Sequence, residues 1–485
     1  MRVEAVPELK VKIGLEVHCQ LTDLKSKLFC SCSADYRGSE PNTHICPVCM
    51  GLPGTLPVLN RKAVEDAIMI ALALNMKVSS RTLFYRKNYF YPDMPKNFQI
   101  SQYDRAGGVP IAKDGYVTLD GGRKIRISRL QLEEDPGKLV YEGTIETSRA
   151  TLVDYNRAGV ALAEIVTEPD ITSPREARIF LQKLRSILEH LGVSSGELEG
   201  SMRCDANISI EGGTRVEVKN ISSFKEVERA LNFEMTRQRN LLRKGLRVGR
   251  ETRHWDELRR VTVTLRVKEE EEDYRYFPEP DLVPILISEE DVERLRASMP
   301  ELPDSRKRRL MEQYGISMQN AEVLTDNKAL AEFFEACAAD YGRPDLLSNW
   351  IVGDLLSYLY DMGLELRETK LTPGHMVGIL RLIDDGTISG KIGKEVLKEI
   401  IITGEAPENI VKARGLVRIS DREYLERLTE RVFEENPKAV SDALKDEKAI
   451  RFLVGQLMKL TDGKADPQLA NILVTNRLKA LAGKG

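Results

Sequence analysis

The chain has 485 residues, beyond the size at which one hydrophobic core keeps growing, so two or three domains are expected. Its composition, 42% hydrophobic and 30% charged with a net charge of -3 from 72 basic and 75 acidic residues, is that of an ordinary globular protein. The balance excludes a uniformly basic surface, so any RNA contact must come from a local patch. No run of about 18 apolar residues occurs, and the opening MRVEAVPELKVKIGLEVH has no signal-peptide core; neither a membrane span nor secretion is expected, and cytoplasmic residence is.

Residues 10–21, KVKIGLEVHCQL, alternate apolar and polar side chains, predicting a half-buried strand with Glu16 and His18 on one face. Alone, such a pair is more often a polar sheet face than a metal site. Next comes the densest cysteine group of the seven in the chain: Cys30-x-Cys32, thirteen residues, then Cys46-Pro-Val-Cys49. Two thiolate knuckles in a reducing compartment predict a closed, tetrahedral, structural zinc site, with no position left for a water nucleophile. Residues 60–76 predict a helix. Arg86, Lys87 and Asn88 precede an aromatic, proline-containing turn ending at Asp93; Lys87 could offset phosphate charge as a point cation, or belong to an exposed basic loop. The strand RKIRISRLQLEED ends at Glu133, Glu134 and Asp135, and Glu164 is a lone acid in the apolar strand ALAEIV, where a buried charge needs a cation. Asp205 opens another strand. Several acids on strands of one domain point to a hard-cation site of the magnesium type.

Ser173, Pro174 and Glu176 form a capping box with proline at the first helical position, predicting a helix that ends near Gly192. A further helix is predicted over residues 223–245. An acidic run, 268–273, leads into YRYFPEPDLVPILIS, whose prolines end the strand-rich part; from Glu289 nearly everything reads as helix. A second break near GEAPENIVKARG precedes a helical tail with 15 basic and 12 acidic residues. Two motif matches are rejected. Gly192-Val-Ser-Ser-Gly196 follows a helix rather than a strand, unlike a nucleophile elbow. Gly386 to Lys391 is one residue short of a phosphate loop and lacks its Ser/Thr.

Five segments taken together carry a resemblance: Ile13-Gly-Leu-Glu-Val-His18, Arg86-Lys-Asn-Tyr-Phe-Tyr-Pro-Asp93, Glu133-Glu-Asp-Pro-Gly-Lys138, Arg203-Cys-Asp-Ala-Asn-Ile-Ser209 and Asp273-Tyr-Arg-Tyr-Phe-Pro-Glu-Pro-Asp281. In order, they are similar to the signatures of the B-subunit family of aspartyl/glutamyl-tRNA amidotransferases, and Phe452 to Lys459 with Gly463 to Gln468 resembles its C-terminal end. The large inserted domain of the archaeal paralogue specific for glutamyl-tRNA is not evident.

The resemblance implies an α+β cradle-like catalytic domain (1–295, with a zinc-binding loop at 30–49), an all-α helical connector (296–406) and a small all-α tail (407–485) for tRNA recognition. It implies an ATP-dependent ligase that phosphorylates the side-chain carboxylate of Asp-tRNA(Asn) and/or Glu-tRNA(Gln), then forms the amide with glutamine-derived ammonia. Glu16, His18, Glu134 and Glu164 would hold Mg2+ and ATP phosphates, with Asp205 at the margin of the set and Glu133 able to exchange roles with Glu134. Lys87, Glu134 and Glu164 would be catalytic. The zinc ligands would be Cys30, Cys32, Cys46 and Cys49, a feature that varies within the family. The implied partners are an amidase-fold glutaminase subunit, a small third subunit, misacylated tRNA and a non-discriminating aminoacyl-tRNA synthetase, with no membrane. Arg414, Arg418, Lys459, Lys464 and Arg477 are the candidate tRNA contacts. The competing reading is a zinc-stabilised RNA-binding scaffold without chemistry of its own. Convergence of the acids is what separates the two.

Overall fold

The computed structural model describes residues 9–105, 107–141, 148–196, 198, 200–266, 274–416, 422–443, 449–461 and 464–482. The chain divides into two compact units, Met1–Ser305 and Arg306–Gly485.

The first unit is mixed α/β. Its strands, in chain order, are β1 (Val11–Gln20), β2 (Lys77–Val78), β3 (Arg81–Thr82), β4 (Tyr85–Asn88), β5 (Phe98–Ser101), β6 (Ala112–Thr118), β7 (Lys124–Glu134) and β8 (Lys138–Tyr141). They continue with β9 (Thr151–Asp154), β10 (Ala161–Thr167), β11 (Met202–Ile210), β12 (Val216–Lys219), β13 (Glu251–Asp256), β14 (Val261–Arg266), β15 (Phe277–Pro278) and β16 (Ile285–Leu286). Among the described residues, nine of them form one sheet in the order β14-β13-β12-β11-β1-β10-β7-β6-β2. It is antiparallel except where β12 runs parallel to β13. A small sheet, β15-β4-β5, lies apart from it in pairing.

The pattern of each central strand decides which face is covered. Ile13, Leu15, Val17 and Cys19 of β1, Ala161, Ala163 and Ile165 of β10, and Cys204, Ala206 and Ile208 of β11 are all buried. Helices α1 (Arg61–Ala73), α2 (Pro174–Leu191) and α3 (Phe224–Arg243) pack on β7, β1 and β11 respectively. Their apolar stripes share one core with these strand residues. The helices begin and end as their local chemistry dictates. Ser173 caps α2 by accepting from the Glu176 N–H, Pro174 occupies its first position, and Gly192 ends it at φ 76°, a conformation that favours glycine. Ser223 caps α3 in the same way. Gly192-Val-Ser-Ser-Gly196 is therefore a helix stop.

The second unit is helical. One core gathers Leu310, Phe334, Trp350, Ile379 and Ile400, and includes Ile410, Val411 and Leu416 from the helix Pro407–Ala413 and the residues just after it. A separate core is built from Val432, Leu453, Leu457, Val474 and Leu478. The segment 349–363 is not one continuous α-helix: Trp350–Leu355 is a π-helical turn between Pro344–Asn349 and Leu356–Met362. Gly386 to Lys391 joins the helices Pro373–Asp384 and Gly390–Thr403. None of the described helices is long and apolar enough to cross a membrane.

Candidate active site

The sheet face opposite the helices carries the acids. Strand alternation leaves Glu16, His18 and Gln20 of β1 on that face, and pairing places their neighbours beside them. His18 lies opposite Glu164 of β10 and opposite Arg203 of β11, while Glu16 lies opposite Asp205. On the next strand, Glu164 is opposite Gln131, and Leu162 is opposite Glu133. Residues more than 180 positions apart in the chain thus meet by register alone.

His18 Nε2 is the centre of this group, 3.3 Å from Glu133, 3.8 Å from Glu164 and 3.9 Å from Glu16. Glu133 and Glu164 are buried. One donor atom each from Glu16, His18 and Glu164 lies within 4.8 Å of the others. Oxygen and imidazole donors at this spacing suit a divalent cation with open positions for further ligands. The electrostatics point the same way. Burial alone would lower the His18 pKa, but its hydrogen bond to Glu133 and the three acids around it raise it to about 9. Burial, then the charges of Glu133 and Glu16, push Glu164 up to about 7. Burial would raise Glu133, yet the bond to His18 and the nearby Lys87 hold it at about 2. With no cation, protons relieve crowded negative charge, and a metal ion would displace them.

A pH effect of known sign follows. His18, with its folded pKa above the unfolded value of 6.5, contributes stability that is complete below pH 6.5 and lost as pH rises through about 9. Glu164, raised from 4.5 to about 7, likewise gives up stability as pH rises through 7. A divalent cation taken up by these donors should therefore raise Tm more at pH 9 than at pH 6.5, measured by thermal melts with chelator or excess Mg2+. An equal increase at both pH values would contradict proton–cation exchange at this group.

Lys87, on β4, lines the same cavity of about 540 Å³ as Glu16, Glu133 and Glu164. Burial would lower its pKa, but Tyr276, Glu133, Tyr89 and Tyr274 around it more than offset that, and the ammonium stays charged. The phenols are neutral near pH 7, so Glu133 supplies the opposing charge, while Tyr89 and Tyr274 present their ring faces to the ammonium.

Two expected members sit differently. Glu134 points to the opposite side of β7 from Glu133: its carboxylate takes Lys96 Nζ at 2.5 Å and the Ile100 N–H at 2.8 Å. Adjacent strand residues cannot share a face, so Glu133, not Glu134, joins His18. Asp205 is on the right face but is held by Lys219 at 2.7 Å. Arg129, which sequence reasoning passed over, lies 3.4 Å from Glu164. Glu133 was discoverable: Leu130 and Leu132 are core residues, so Arg129, Gln131 and Glu133 alternate to the other face.

The four cysteines do converge. Cys30, Cys32, Cys46 and Cys49 present sulfurs all within 4.8 Å of one another, and all are free of disulfides. The backbone N–H of Cys46 points at the Cys49 sulfur, 3.2 Å away. Hydrogen bonding from Cys30 pulls Cys49 down to about 5 despite burial, with Lys27 adding positive charge. Burial and its sulfur neighbours push Cys32 up to about 11. This donor set fits a soft, tetrahedral ion such as zinc.

The sequence matches the family described as GatB/GatE catalytic domain over residues 11–293 and the GatB domain over residues 332–478. A Sulfurisphaera tokodaii protein, named as the B subunit of aspartyl/glutamyl-tRNA(Asn/Gln) amidotransferase, is 54% identical over 96% of this chain and 98% of its own length. The chain belongs to the amidotransferase B-subunit family. Proteins of the same name from Carboxydothermus hydrogenoformans (49% identical, 98% of this chain, 100% of that protein) and Thermotoga maritima (50%, 96% and 98%) agree along nearly the whole length.

For this member of the amidotransferase family, two of the residues singled out in the tail are paired with acids. Arg414 pairs with Glu399 at 3.0 Å and Arg477 with Glu430 at 2.7 Å. Lys459 is exposed near the end of the helix Ile450–Leu460, and Lys464 is half-buried beyond it. Arg418 lies outside the described residues, as does the acidic run 268–273.

Proposed function

We propose that the chain is the phosphorylating and amidating component of a glutamine-dependent amidotransferase that converts Asp-tRNA(Asn) and/or Glu-tRNA(Gln) to Asn-tRNA(Asn) and Gln-tRNA(Gln). The supporting observation is that Glu16, Glu133 and Glu164 line one cavity with Lys87, and that all three acids gather around His18. A scaffold that only held RNA would have no use for such crowding, which costs stability.

The reaction runs in two steps. A carboxylate oxygen of the aminoacyl side chain attacks the γ-phosphorus of ATP and ADP leaves. Ammonia then attacks the activated carbonyl carbon, and inorganic phosphate departs with the C–O electron pair. Glu16, His18 and Glu164 would hold Mg2+, which when bound would draw charge from the phosphoryl oxygens. Lys87 would sit against the transferring phosphoryl as a fixed cation, with Glu133 keeping His18 in place. Glu164 and Lys87 are thus assigned catalytic roles, and Glu134 a place on the far side of β7.

The relatives are named as one component of a larger amidotransferase, which supports assembly with other chains. Ammonia would come from an amidase-fold glutaminase subunit, accompanied by a small third subunit, and a non-discriminating aminoacyl-tRNA synthetase would supply the misacylated tRNA. These substrates belong to translation, which supports a cytoplasmic setting. Catalysis is assigned to residues 1–295, ahead of the helical connector. The tRNA-selecting tail is taken to start after Leu416, because Ile410, Val411 and Leu416 complete the connector's core and a boundary at 407 would cut it. The cysteine cluster would hold structural Zn2+.

The test uses the complex with the glutaminase and the small third subunit, ATP and glutamine, given misacylated Asp-tRNA and Glu-tRNA separately. Amide formation with one ADP per amide, dependent on the misacylated tRNA, is expected for at least one substrate. Glutamine hydrolysis with no amide from either would overturn the reading.

A further inference from the structure

The strip Tyr274 to Glu279 is fastened along β4 more firmly than a connecting loop requires. The Asn88 amide donates to the carbonyls of Tyr274 (3.3 Å) and Arg275 (2.9 Å). Phe277 and Pro278 pair with Arg86 and Tyr85. The Arg86 guanidinium grips Glu279 with both arms, at 2.7 and 2.8 Å, and the Glu279 side chain is fully buried. Between these anchors Arg275 adopts φ 48°, a left-handed conformation that a non-glycine residue holds only when its surroundings impose it.

This fastening sets aromatic rings around Lys87. Its Nζ lies 5.0 Å from the Tyr274 ring centre and 5.8 Å from that of Tyr89. Tyr274 meets Tyr89 and Tyr276 edge-on, at 6.2 and 6.0 Å, and Tyr276 stacks on Tyr103 at 4.1 Å with planes 8° apart. Tyr103, Tyr274 and Tyr276 line the cavity that holds the acids.

A lysine beside four acids would ordinarily fold onto one of them. Such a pair would neutralise the cation and block a metal donor. A ring face attracts an ammonium without cancelling its charge, and releases it more readily than a carboxylate does. We propose that Tyr274, braced through Tyr276 by Tyr103, is a positioning residue that holds the Lys87 ammonium clear of the acids and available to the transferring phosphoryl. This rests on the reading of Lys87 given above.

The test is a double-mutant cycle in the complete complex, following single-turnover, misacylated-tRNA-dependent ADP formation at saturating ATP. Tyr274→Leu should slow the step about tenfold, with the half-saturating tRNA concentration within about twofold and Tm unchanged. Tyr274→Phe, which keeps the ring face, should stay within about twofold of the parent. In a Lys87→Met background Tyr274→Leu should cost nothing further. A parental rate for Tyr274→Leu, or the same tenfold loss without Lys87, overturns the proposal while leaving the role of Lys87 intact. Full activity of Lys87→Met alone would instead remove the reading on which it rests. If Tyr274→Leu does not fold, Tyr276→Leu serves in the same cycle, and independence from Lys87 would be equally fatal.

Discussion

Glu164→Gln is expected to lower ATP-dependent amidation of misacylated tRNA by about a thousandfold, roughly 4 kcal/mol of transition-state stabilisation, while tRNA affinity stays within about threefold. Glutamine keeps the volume of the side chain and part of its hydrogen bonding, so packing against β7 and β1 survives. What disappears is an anionic donor 3.8 Å from His18, inside the group suited to a cation. Glu164 is crowded by burial and by Glu133 and Glu16, which already push its pKa to about 7. Removing its charge should therefore leave Tm unchanged or raise it when the metal is chelated, and should weaken Mg2+ binding. Activity, melts and metal titration together separate a catalytic loss from unfolding. A variant that amidates at the parental rate would remove Glu164 from the site.

Cys46→Ser should lose the bound zinc, and Tm should fall by about 5–10 °C, the scale of a few kcal/mol in a domain of this size. Three sulfurs remain, one of them still favoured as a thiolate at Cys49, but a tetrahedral thiolate site with an alcohol in place of its fourth sulfur binds far more weakly. The loop also supplies local order: Lys27 donates to the His44 carbonyl at 2.7 Å, and Val58 and Asn60 bond back to Phe29 and Leu28. At a temperature where the variant is fully folded, its amidation rate should match the parent. Loss of catalysis in that folded state would argue against a structural ion. The readouts are zinc content, melting curves and the amidation assay.

Much of the fold was legible because its signals are local. Ser173, Pro174 and Gly192 bound a helix by their own chemistry, and the alternation in residues 10–21 places Glu16 and His18 together without any tertiary knowledge. The four cysteines were equally plain, since two knuckles close in sequence need only one loop to bring them together. What escaped depended on long-range pairing. The β7 alternation slips at Ser128, where Val166 and Thr167 shift register against it, so counting from Ile125 assigns Glu133 and Glu134 to the wrong sides. Tyr274 and Tyr276 gain meaning only through a strand far earlier in the chain. The π-helical turn at Trp350 leaves no proline or glycine pair to announce it.

The two carboxylates at the end of β7 look outward to different chambers: Glu133 to the acidic cavity, Glu134 to a smaller one of about 220 Å³ that also touches Cys49 and Lys96. Because only chain parity tells them apart, removing one residue between the Ser128 slip and Glu133, with the earlier part of β7 held in register, would exchange their destinations. This stretch should accept many substitutions but no gaps, so an intact residue count between the Ser128 slip and Asp135 is a stricter requirement on the chain than the identity of most amino acids within it.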